Sequence, residues 1–294
     1  MPSKQIQWFP GHMAKTKRLI TENLKNVDIV IEMLDARIPA SSKNPEISKL
    51  TGSVDKPTLV LLNKASLADP VQSAKWVSYY TGESSRCILT DCTAGRGISE
   101  ISPAIKEILL SKIERYEQKG MSGRKLRAMV VGIPNVGKSS LINRIAGNKK
   151  AKVENRPGVT LDKQWVPTNI GFDLMDMPGI LWPKFEDKTV GENLALTGAI
   201  KDSILDIEEL AVVLCSRLRR MYPLLLCERY KLGTPENIEG FTDYELLEYI
   251  GRKRGFLISG GEINTERTAN MLIEEFRKNQ IGRITLDVFP DSDK

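Results

Sequence analysis

The sequence predicts an α/β fold whose sheet is doubly wound and mainly parallel, followed by a small helical region. Short apolar segments alternate with stretches of helical periodicity, which is the pattern of repeated strand–helix–strand units. After residue 183 the strand signals fade and helical periodicity takes over. We therefore expect an α/β domain over residues 1–183 and a mainly helical C-terminal domain over residues 184–294.

Five apolar segments carry the strand prediction, and most are apolar on both faces, as expected of strands buried between two layers of helices. Helical patterns fit between several of them, and a later helix begins where Asn264 or Thr265 can cap it. The predicted strands are 28–36, 58–64, 87–91, 127–134 and 172–178. The predicted helices are 13–25, 70–80, 98–116, 138–146 and 264–278.

Composition limits the class of protein. The 294 residues are 41% hydrophobic, and no apolar run approaches the roughly 20 residues that a membrane helix requires. The amino terminus lacks both a secretory signal and an Arg-rich transit pattern, so a cytoplasmic location is expected. Four cysteines without a C-x-x-C pair and a single histidine argue against a zinc site or a disulfide framework. We expect reduced, mostly buried thiols in a monomer without a membrane partner.

Positive charge is concentrated in the first part of the chain. Residues 1–183 carry 27 Lys and Arg against 17 Asp and Glu, whereas residues 184–294 carry 16 against 20. A basic surface of this kind either binds a polyanion such as RNA or is a solvated face without a partner. The basic clusters are 15–18, 122–127 and 149–156.

The first chemical motif, GIPNVGKS at 132–139, has the spacing G-x-x-x-x-G-K-S between a predicted strand and a predicted helix. Its glycines let backbone N–H groups surround phosphates, and the start of the helix adds favourable partial charge. Lys138 is expected to reach the β and γ phosphates, and Ser139 to ligate Mg²⁺. The predicted nucleotide contacts of this loop are Asn135, Val136, Gly137, Lys138, Ser139 and Ser140.

A second motif, DMPG at 176–179, follows the last predicted strand. Asp176 can hold Mg²⁺ through water, and the N–H of Gly179 can contact the γ phosphate. Between the two motifs, Thr160 either completes the Mg²⁺ shell or belongs to an ordinary connecting loop. The next residue, Ile180, has no polar side-chain atom, so it cannot orient water as a glutamine at this place does in Ras-like enzymes.

The base is expected to be selected by LLNKAS at 61–66. In the N-K-x-D pattern the Asn contacts the purine edge, the Lys stem covers the ring, and the Asp accepts two hydrogen bonds from guanine. Asn63 and Lys64 are present, but Ser66 stands in place of the Asp, and one hydroxyl cannot reproduce a bidentate carboxylate. Asp69, three residues on, either reaches the base or does not.

A loop after the next predicted strand, TDCTAG at 90–95, resembles the segment whose backbone contacts the guanine oxygen. Asp91 and Cys92 are the predicted contacts in it. The base motif and this loop together predict a preference for guanine over adenine, with discrimination weakened by Ser66.

The motifs occur in the order base motif, base loop, phosphate loop, Thr160 and DMPG, which is the usual GTPase order cut and rejoined. Circular permutation is tolerated where the old ends lie close together. The new junction is expected at 116–127, and the new ends just after DMPG.

The chain resembles the circularly permuted GTPases and, within them, the ribosome biogenesis GTPase A (YlqF) family. The resemblance is carried by IQWFPGHMAK (6–15), DARIPASSKNP (35–45), GIPNVGKSS (132–140), RPGVT (156–160), DMPGILWPKFED (176–187) and LTGAIKD (196–202).

That resemblance implies a protein that binds GTP, GDP and Mg²⁺ and acts in late assembly of the large ribosomal subunit. It also implies GTP hydrolysis stimulated by the particle, with rRNA and ribosomal proteins as partners. Asn135 resembles the phosphate-loop asparagine of potassium-stimulated GTPases, so K⁺ is a candidate second cation. The residues alone leave two alternatives open: a P-loop ATPase with another role, and a nucleotide-sensing RNA-binding protein with little turnover of its own.

Two further sites have competing interpretations. His12 resembles the histidine of the family's PGH motif, a catalytic candidate, and the permuted topology brings it near the end of DMPG. It either positions the attacking water or is held in place by packing of the amino terminus. Asp35 and Arg37 end a strand on the nucleotide side, where a local ion pair that shapes a turn is preferred to a nucleotide-responsive loop.

Overall fold

The computed structural model describes residues 11–82, 85–121, 123–147, 164–168, 170–185 and 187–290. The strands are β1 (Ile29–Asp35), β2 (Thr58–Asn63), β3 (Ser85–Leu89), β4 (Leu126–Gly132), β5 (Gln164–Val166) and β6 (Phe172–Asp176). They form one sheet in the order β3-β2-β1-β4-β6-β5, in which every pair is parallel except β5 with β6. The predicted mainly parallel sheet is therefore confirmed.

Helices and connecting loops form the rest of the described chain. The helices are α1 (Gly11–Asn23), α2 (Pro45–Gly52), α3 (Pro70–Tyr80), α4 (Ile98–Ile108), α5 (Leu110–Gln118), α6 (Lys138–Ala146), α7 (Lys188–Leu196), α8 (Ile207–Met221), α9 (Pro223–Tyr230), α10 (Asp243–Lys253) and α11 (Thr265–Arg277). Short 3-10 helices occupy Leu24–Asn26, Asp202–Ile204 and Pro235–Ile238. Among the helices described, none is long and apolar enough to span a bilayer.

The five predicted strands are confirmed because their apolar runs are buried; in β1 every residue is buried. The sixth, β5, was not predicted, since three residues at a sheet edge are too few for a periodic signal. The predicted single helix over 98–116 is wrong in one respect: it is broken at Leu109. Leu109 is 2% exposed and packs into the core, and its φ of −101° and ψ of 13° interrupt the helix; α5, which follows, has no buried residue.

The strand order confirms the circular permutation. From β1 the chain moves outward through β2 to β3 on one side; from β4 it moves to the edge strand β5 and then returns to β6, which lies between them, on the other side. The order reverses between β1 and β4, which are paired in register from Ile29 with Ala128 to Met33 with Gly132. Ligands of open α/β sheets bind at such a switch point, outside the carboxyl ends of the strands. Both predicted halves of the nucleotide site lie at that edge.

The final residues of the chain return to the first part of the fold. The backbone N–H of Leu286 donates to the carbonyl of Arg37 at 2.7 Å. Asp287 accepts hydrogen bonds from Ser41 at 2.5 Å and from Asn193 of α7 at 2.8 Å. Buried apolar residues of the sheet and of the C-terminal helices form one connected cluster. The boundary near residue 184 therefore remains a prediction.

All four cysteines are buried and unpaired, as expected. Burial raises the pKa of both Cys87 and Cys92 to about 12. Cys92, although it lies in the base loop, is therefore a protonated packing residue at neutral pH.

Candidate nucleotide-binding site

The phosphate loop joins β4 to α6 at the carboxyl edge of the sheet. Gly137 has φ of 109°, and a Cβ added there would lie 2.3 Å from Nδ2 of Asn63, so only glycine fits. Val136 is fully buried, while Ser139 and Ser140 are partly exposed in the first turn of α6. The first N–H groups of a helix have no partner within it and therefore suit phosphate oxygens.

The phosphate half of the site consists of the phosphate loop and DMPG, and the base half consists of the base motif and the base loop. Lys138 and Asp176 are the charged groups of the phosphate half. The Lys138 ammonium donates to the carbonyls of Gly132 at 3.2 Å and Ile133 at 2.9 Å, and burial lowers its pKa to about 8. Burial raises the pKa of Asp176 to about 6, although Lys138 opposes the rise. Within the described part of the chain, Oδ1 of Asp176 is buried without a hydrogen-bond partner. Both groups therefore lack a full set of partners from the protein.

The donor set fits a magnesium ion. Hydroxyl and carboxylate oxygens are the ligands that Mg²⁺ prefers, and Ser139 and Asp176 supply one of each. Register pairs Val130 of β4 with Asp176 of β6, which brings the carboxylate beside the phosphate loop. The unpartnered Oδ1 of Asp176 suits a metal-bound water. Thr160, the third predicted ligand, lies outside the described residues.

The DMPG segment packs directly on the phosphate loop. A Cβ on Gly179 would lie 2.8 Å from Cα of Pro134, so the two backbones approach as closely as glycine permits. The N–H of Ile180 donates to the carbonyl of Gly132 at 3.2 Å, and Asn44 donates to the carbonyl of Ile180 at 3.3 Å. The Ile180 side chain is 1% exposed, so it packs in the core.

Asn63 connects the two halves of the site. Its Nδ2 donates to the carbonyl of Val136 at 2.7 Å, and its Oδ1 accepts from the N–H of Cys92 at 3.0 Å and the hydroxyl of Thr90 at 3.3 Å. One side chain therefore fixes the phosphate loop against the base loop. Its predicted contact with the purine edge stays a prediction.

Lys64 lies against a buried ion pair. Its Nζ donates to Asp35 at 2.9 Å. Arg37 donates to the same carboxylate through Nε at 3.0 Å and Nη2 at 2.8 Å. Burial opposes ionisation of Asp35, but Arg37 and Lys64 outweigh it and hold its pKa well below the ordinary value. The local ion pair favoured for Asp35 and Arg37 is confirmed, and it also orients the Lys64 stem.

The two acidic residues near Ser66 have different partners in the structure. Asp69 is the N-cap of α3: its Oδ1 accepts from the N–H of Val71 at 2.8 Å, and its Oδ2 accepts from the hydroxyl of Tyr222 at 3.2 Å. Asp91, in contrast, accepts a hydrogen bond from the Ser66 hydroxyl. Of the two, Asp91 is the carboxylate beside the base motif.

The base loop is anchored to the helix that follows the phosphate loop. Arg144 of α6 donates to the carbonyl of Cys92 at 3.2 Å and to that of Thr93. Asp91 and Arg96 form an isolated antiparallel bridge that closes the loop. The loop is thus a compact turn that is held by Arg144 of α6 as well as by Asn63.

The C-terminal segment supports the base motif. The sequence did not predict this contact. Arg283 donates to the carbonyls of Ala65 at 2.9 Å and Ala68 at 2.8 Å, and the N–H of Ile284 donates to the carbonyl of Leu67 at 3.1 Å. These partners are more than 200 positions apart in the chain. No periodicity or motif spacing signals such a contact.

Asn135 links the phosphate loop to the C-terminal helices. It has φ of 58°, and its Nδ2 donates to the carbonyl of Gly198 at 2.7 Å. Gly198 belongs to the LTGAIKD segment that follows α7. A potassium contact of Asn135 stays a prediction.

His12 is the second residue of α1, next to the fully buried Met13. Its side chain is outside the described part of the structure. The catalytic role of His12 therefore stays a prediction.

Comparison with known proteins agrees with this geometry. The family model of the 50S ribosome-binding GTPase matches residues 127–223. Ribosome biogenesis GTPase A of Priestia megaterium is 48% identical over 284 residues and covers 96% of each chain. Mitochondrial ribosome-associated GTPase 1 of Xenopus tropicalis is 33% identical, covering 95% of this chain and 94% of its own. The crystal structure of GNP-bound YlqF from T. maritima has TM-score 0.61 at 24% identity, covering 93% of this chain and 97% of that one.

These relatives decide the nucleotide and the reaction class. A GTPase domain matches the segment that carries the phosphate loop and DMPG, which rules out the ATPase alternative. The structural neighbour shares the permuted fold over nearly the whole chain. The chain therefore belongs to the ribosome biogenesis GTPase A family, as a GTP hydrolase with the circularly permuted YlqF-type fold.

Proposed function

We propose that this GTPase is an assembly factor that binds the maturing large ribosomal subunit in the cytoplasm and is stimulated by it. The observation that carries the proposal is the match to a 50S ribosome-binding GTPase over the phosphate loop and DMPG, together with relatives named for ribosome biogenesis. A ribosomal partner also suits the site itself. The buried Ile180 cannot orient water, so efficient hydrolysis needs a group that a bound particle brings or orders.

Exposed basic residues support docking on rRNA. Lys15 and Arg18 lie on α1, and Arg124, Lys125 and Arg127 precede or begin β4; all five are exposed. The third basic cluster, 149–156, lies outside the described residues. If these clusters contact rRNA phosphates, particle affinity falls steeply with salt, with a slope of roughly 0.7 to 0.9 per phosphate neutralised. A flat response would instead favour docking on ribosomal protein.

In the proposed site Mg²⁺ would be held by Ser139, Thr160 and, through water, Asp176. The ion would neutralise charge on the phosphates. Lys138 would exchange its two carbonyl partners for phosphate oxygens, and Gly179 would offer its N–H to the γ phosphate. His12 is proposed to orient the attacking water, and Asn135 to hold K⁺ beside the phosphates. The protein is proposed to act as a monomer.

The direct test is GTP turnover by the purified protein with and without large ribosomal subunits, with small subunits as the matched control. We expect large subunits to raise the rate and small subunits to leave it unchanged. Binding to large subunits with no change in turnover would favour the remaining alternative, a nucleotide-sensing RNA-binding protein.

A further inference from the structure

The base motif of this chain lacks the residue that normally distinguishes guanine. Ser66 occupies the place of the aspartate that accepts hydrogen bonds from the imino and amino groups of the base. Asp69 does not replace it, because one oxygen caps α3 through Val71 and the other accepts from Tyr222. The carboxylate must therefore come from elsewhere if guanine is selected by charge.

A carboxylate of the other base element lies against Ser66. Asp91 follows β3, and register pairs Leu62 of β2 with Leu89 of β3, so the base motif and the base loop leave the sheet side by side. The Ser66 hydroxyl donates to Oδ2 of Asp91. The two side chains thus meet at the position where the base motif would ordinarily present its acid.

We propose that Asp91 is the residue that selects guanine, and that Ser66 and Asp91 are an exchanged pair. In this arrangement the base loop supplies the carboxylate, while the base motif supplies the hydroxyl that orients it. The inference rests on the guanine-nucleotide site assigned above and adds its specificity-determining residue.

Acceptor capacity allows Asp91 to take this role. An ionised carboxylate has about four lone-pair sites. Oδ1 accepts from the N–H groups of Thr93 at 3.1 Å and Ala94 at 2.9 Å, and Oδ2 accepts from the Ser66 hydroxyl. The backbone N–H of Ser66 also donates to the carboxylate, so protein donors occupy its sites before guanine binds. Guanine therefore binds Asp91 by exchange: one loop N–H turns to the guanine oxygen, and one of the two Ser66 donors leaves the carboxylate. The guanine imino and amino groups then donate to the two sites that these donors leave on Asp91.

The same geometry rejects adenine. Adenine carries a lone pair at N1 where guanine carries N–H, so it would face the Asp91 carboxylate without a proton between them. Burial opposes ionisation of Asp91, but hydrogen bonds from Ser66, Ala94 and Thr93 outweigh it and keep the pKa of Asp91 below the ordinary value. Asp91 is therefore negatively charged at neutral pH, as the discrimination requires.

The discriminating experiment changes one oxygen of Asp91. Asp91→Asn keeps an acceptor for Thr93 and Ala94, and its amide can still bond to Ser66, so the loop is preserved. The new NH₂ group opposes the guanine amino group but suits xanthine, which has a carbonyl at that place. Displacement of fluorescent GDP by GDP, XDP and ADP gives the three affinities. We expect Asp91→Asn to weaken GDP roughly 100-fold or more and to strengthen XDP, because the guanine amino group loses its acceptor and faces an NH₂ group, while the imino group keeps only a neutral acceptor.

Two further variants isolate the exchange. Ser66→Asp combined with Asp91→Ser reverses the pair and should restore a preference for GDP over XDP and ADP. Asp69→Asn retains the helix cap and should leave the GDP-to-XDP ratio unchanged. A folded Asp91→Asn protein, with an unchanged melting temperature and a wild-type GDP-to-XDP ratio, would overturn the inference while leaving the GTPase function intact. A wild-type protein that binds ADP as well as GDP would overturn both.

Discussion

The base half and the phosphate half of the nucleotide site are built in opposite ways. In the base half, polar side chains already have protein partners: Asn63 holds both neighbouring loops, and Asp91 accepts from Ser66 and two loop amides. In the phosphate half, Lys138 uses the carbonyls of its own loop, and Asp176 has a buried oxygen without a partner in the described chain. The base half is therefore preformed in the sense that protein partners, some of which guanine replaces, hold its shape, whereas the phosphate half is completed by nucleotide and metal.

The difference follows from what each half binds. A base is neutral and rigid, so a fixed set of donors and acceptors can be assembled for it in advance. Phosphates and Mg²⁺ are strongly charged, and the charges that match them are poorly stabilised when buried alone. Burial accordingly disfavours the charged form of both groups: it lowers the pKa of Lys138 to about 8 and raises the pKa of Asp176 to about 6.

The largest expected effect comes from removing the charge of the phosphate half. Lys138→Ala should abolish measurable GTP binding, because it removes the cation that faces the β and γ phosphates. Isothermal titration with GTP and Mg²⁺ measures this, and Lys125→Ala, at an exposed lysine near Asp173, is the matched control. Near-normal GTP affinity in a folded Lys138→Ala protein would break the assignment of the phosphate half.

The next effect concerns how the phosphate half becomes catalytic. His12→Ala should retain GTP binding and association with large subunits, yet lose stimulated turnover by about 10² to 10⁴, the usual loss when a water-orienting or proton-accepting group is removed. Single-turnover hydrolysis with saturating large subunits measures it. His12→Ala that lowers particle binding or stability, with the rate per bound complex unchanged, would assign His12 a packing role.

The pH dependence of stability tests, without any ligand, whether Asp176 is buried without a full set of partners. Because the pKa of Asp176 is raised from 3.8 to about 6, the folded chain retains a proton that the unfolded chain releases. The free energy of unfolding should therefore decrease as pH rises from about 4 to about 6, by on the order of 2 to 3 kcal/mol. Asp176→Asn should remove that contribution in urea unfolding without metal or nucleotide. Identical pH slopes in both proteins would show that Asp176 is not buried unpaired.

The support of the base half by the C-terminal segment predicts a smaller effect. Arg283→Ala removes the donors to Ala65 and Ala68, so the base-motif loop should loosen and GDP should dissociate about 10-fold faster, since lost hydrogen bonds are worth about 1 kcal/mol each. Stopped-flow release of fluorescent GDP measures the rate. Lys278→Ala, at an exposed lysine paired with Glu274 in the same region, is the control. Equal release rates for the wild type and both variants would mean that the base-motif loop keeps its shape without the Arg283 hydrogen bonds.

The smallest expected effect is at Asn135, where the phosphate half touches Gly198. Asn135→Gly keeps the left-handed backbone and removes the side chain, so it isolates the amide from the turn. We expect K⁺ to accelerate GTP turnover over Na⁺ in the wild type and Asn135→Gly to erase the difference. Rates that are equal in the two salts before mutation would leave Asn135 as a link to the C-terminal helices only.

Local signals in the sequence were sufficient for much of the fold. Apolar runs located five strands, and the spacing of GIPNVGKS located the phosphate loop. Motif order revealed the permutation, because each motif marks a known place in the sheet. The helix α2 was missed although Asn44 caps it and Pro45 begins it, since eight residues hold little periodicity.

Contacts between distant residues could not be inferred in the same way. Ser66 was recognised as a departure from the base motif, but its partner Asp91 lies 25 positions away and is brought beside it only by strand pairing. Asp69, nearer in sequence, was left open and is engaged as a helix cap. The Arg283 contacts depend on the path of the whole C-terminal segment.

Hydrogen–deuterium exchange tests most directly whether the base half is preformed and the phosphate half completed by ligand. The protein is compared with and without a non-hydrolysable GTP analogue and Mg²⁺. We predict that peptides covering 62–68 and 90–97 are protected before the nucleotide is added, and that new protection is concentrated in 133–139 and 176–180. Base-half peptides that exchange freely until nucleotide binds, with the phosphate half already protected, would contradict the account.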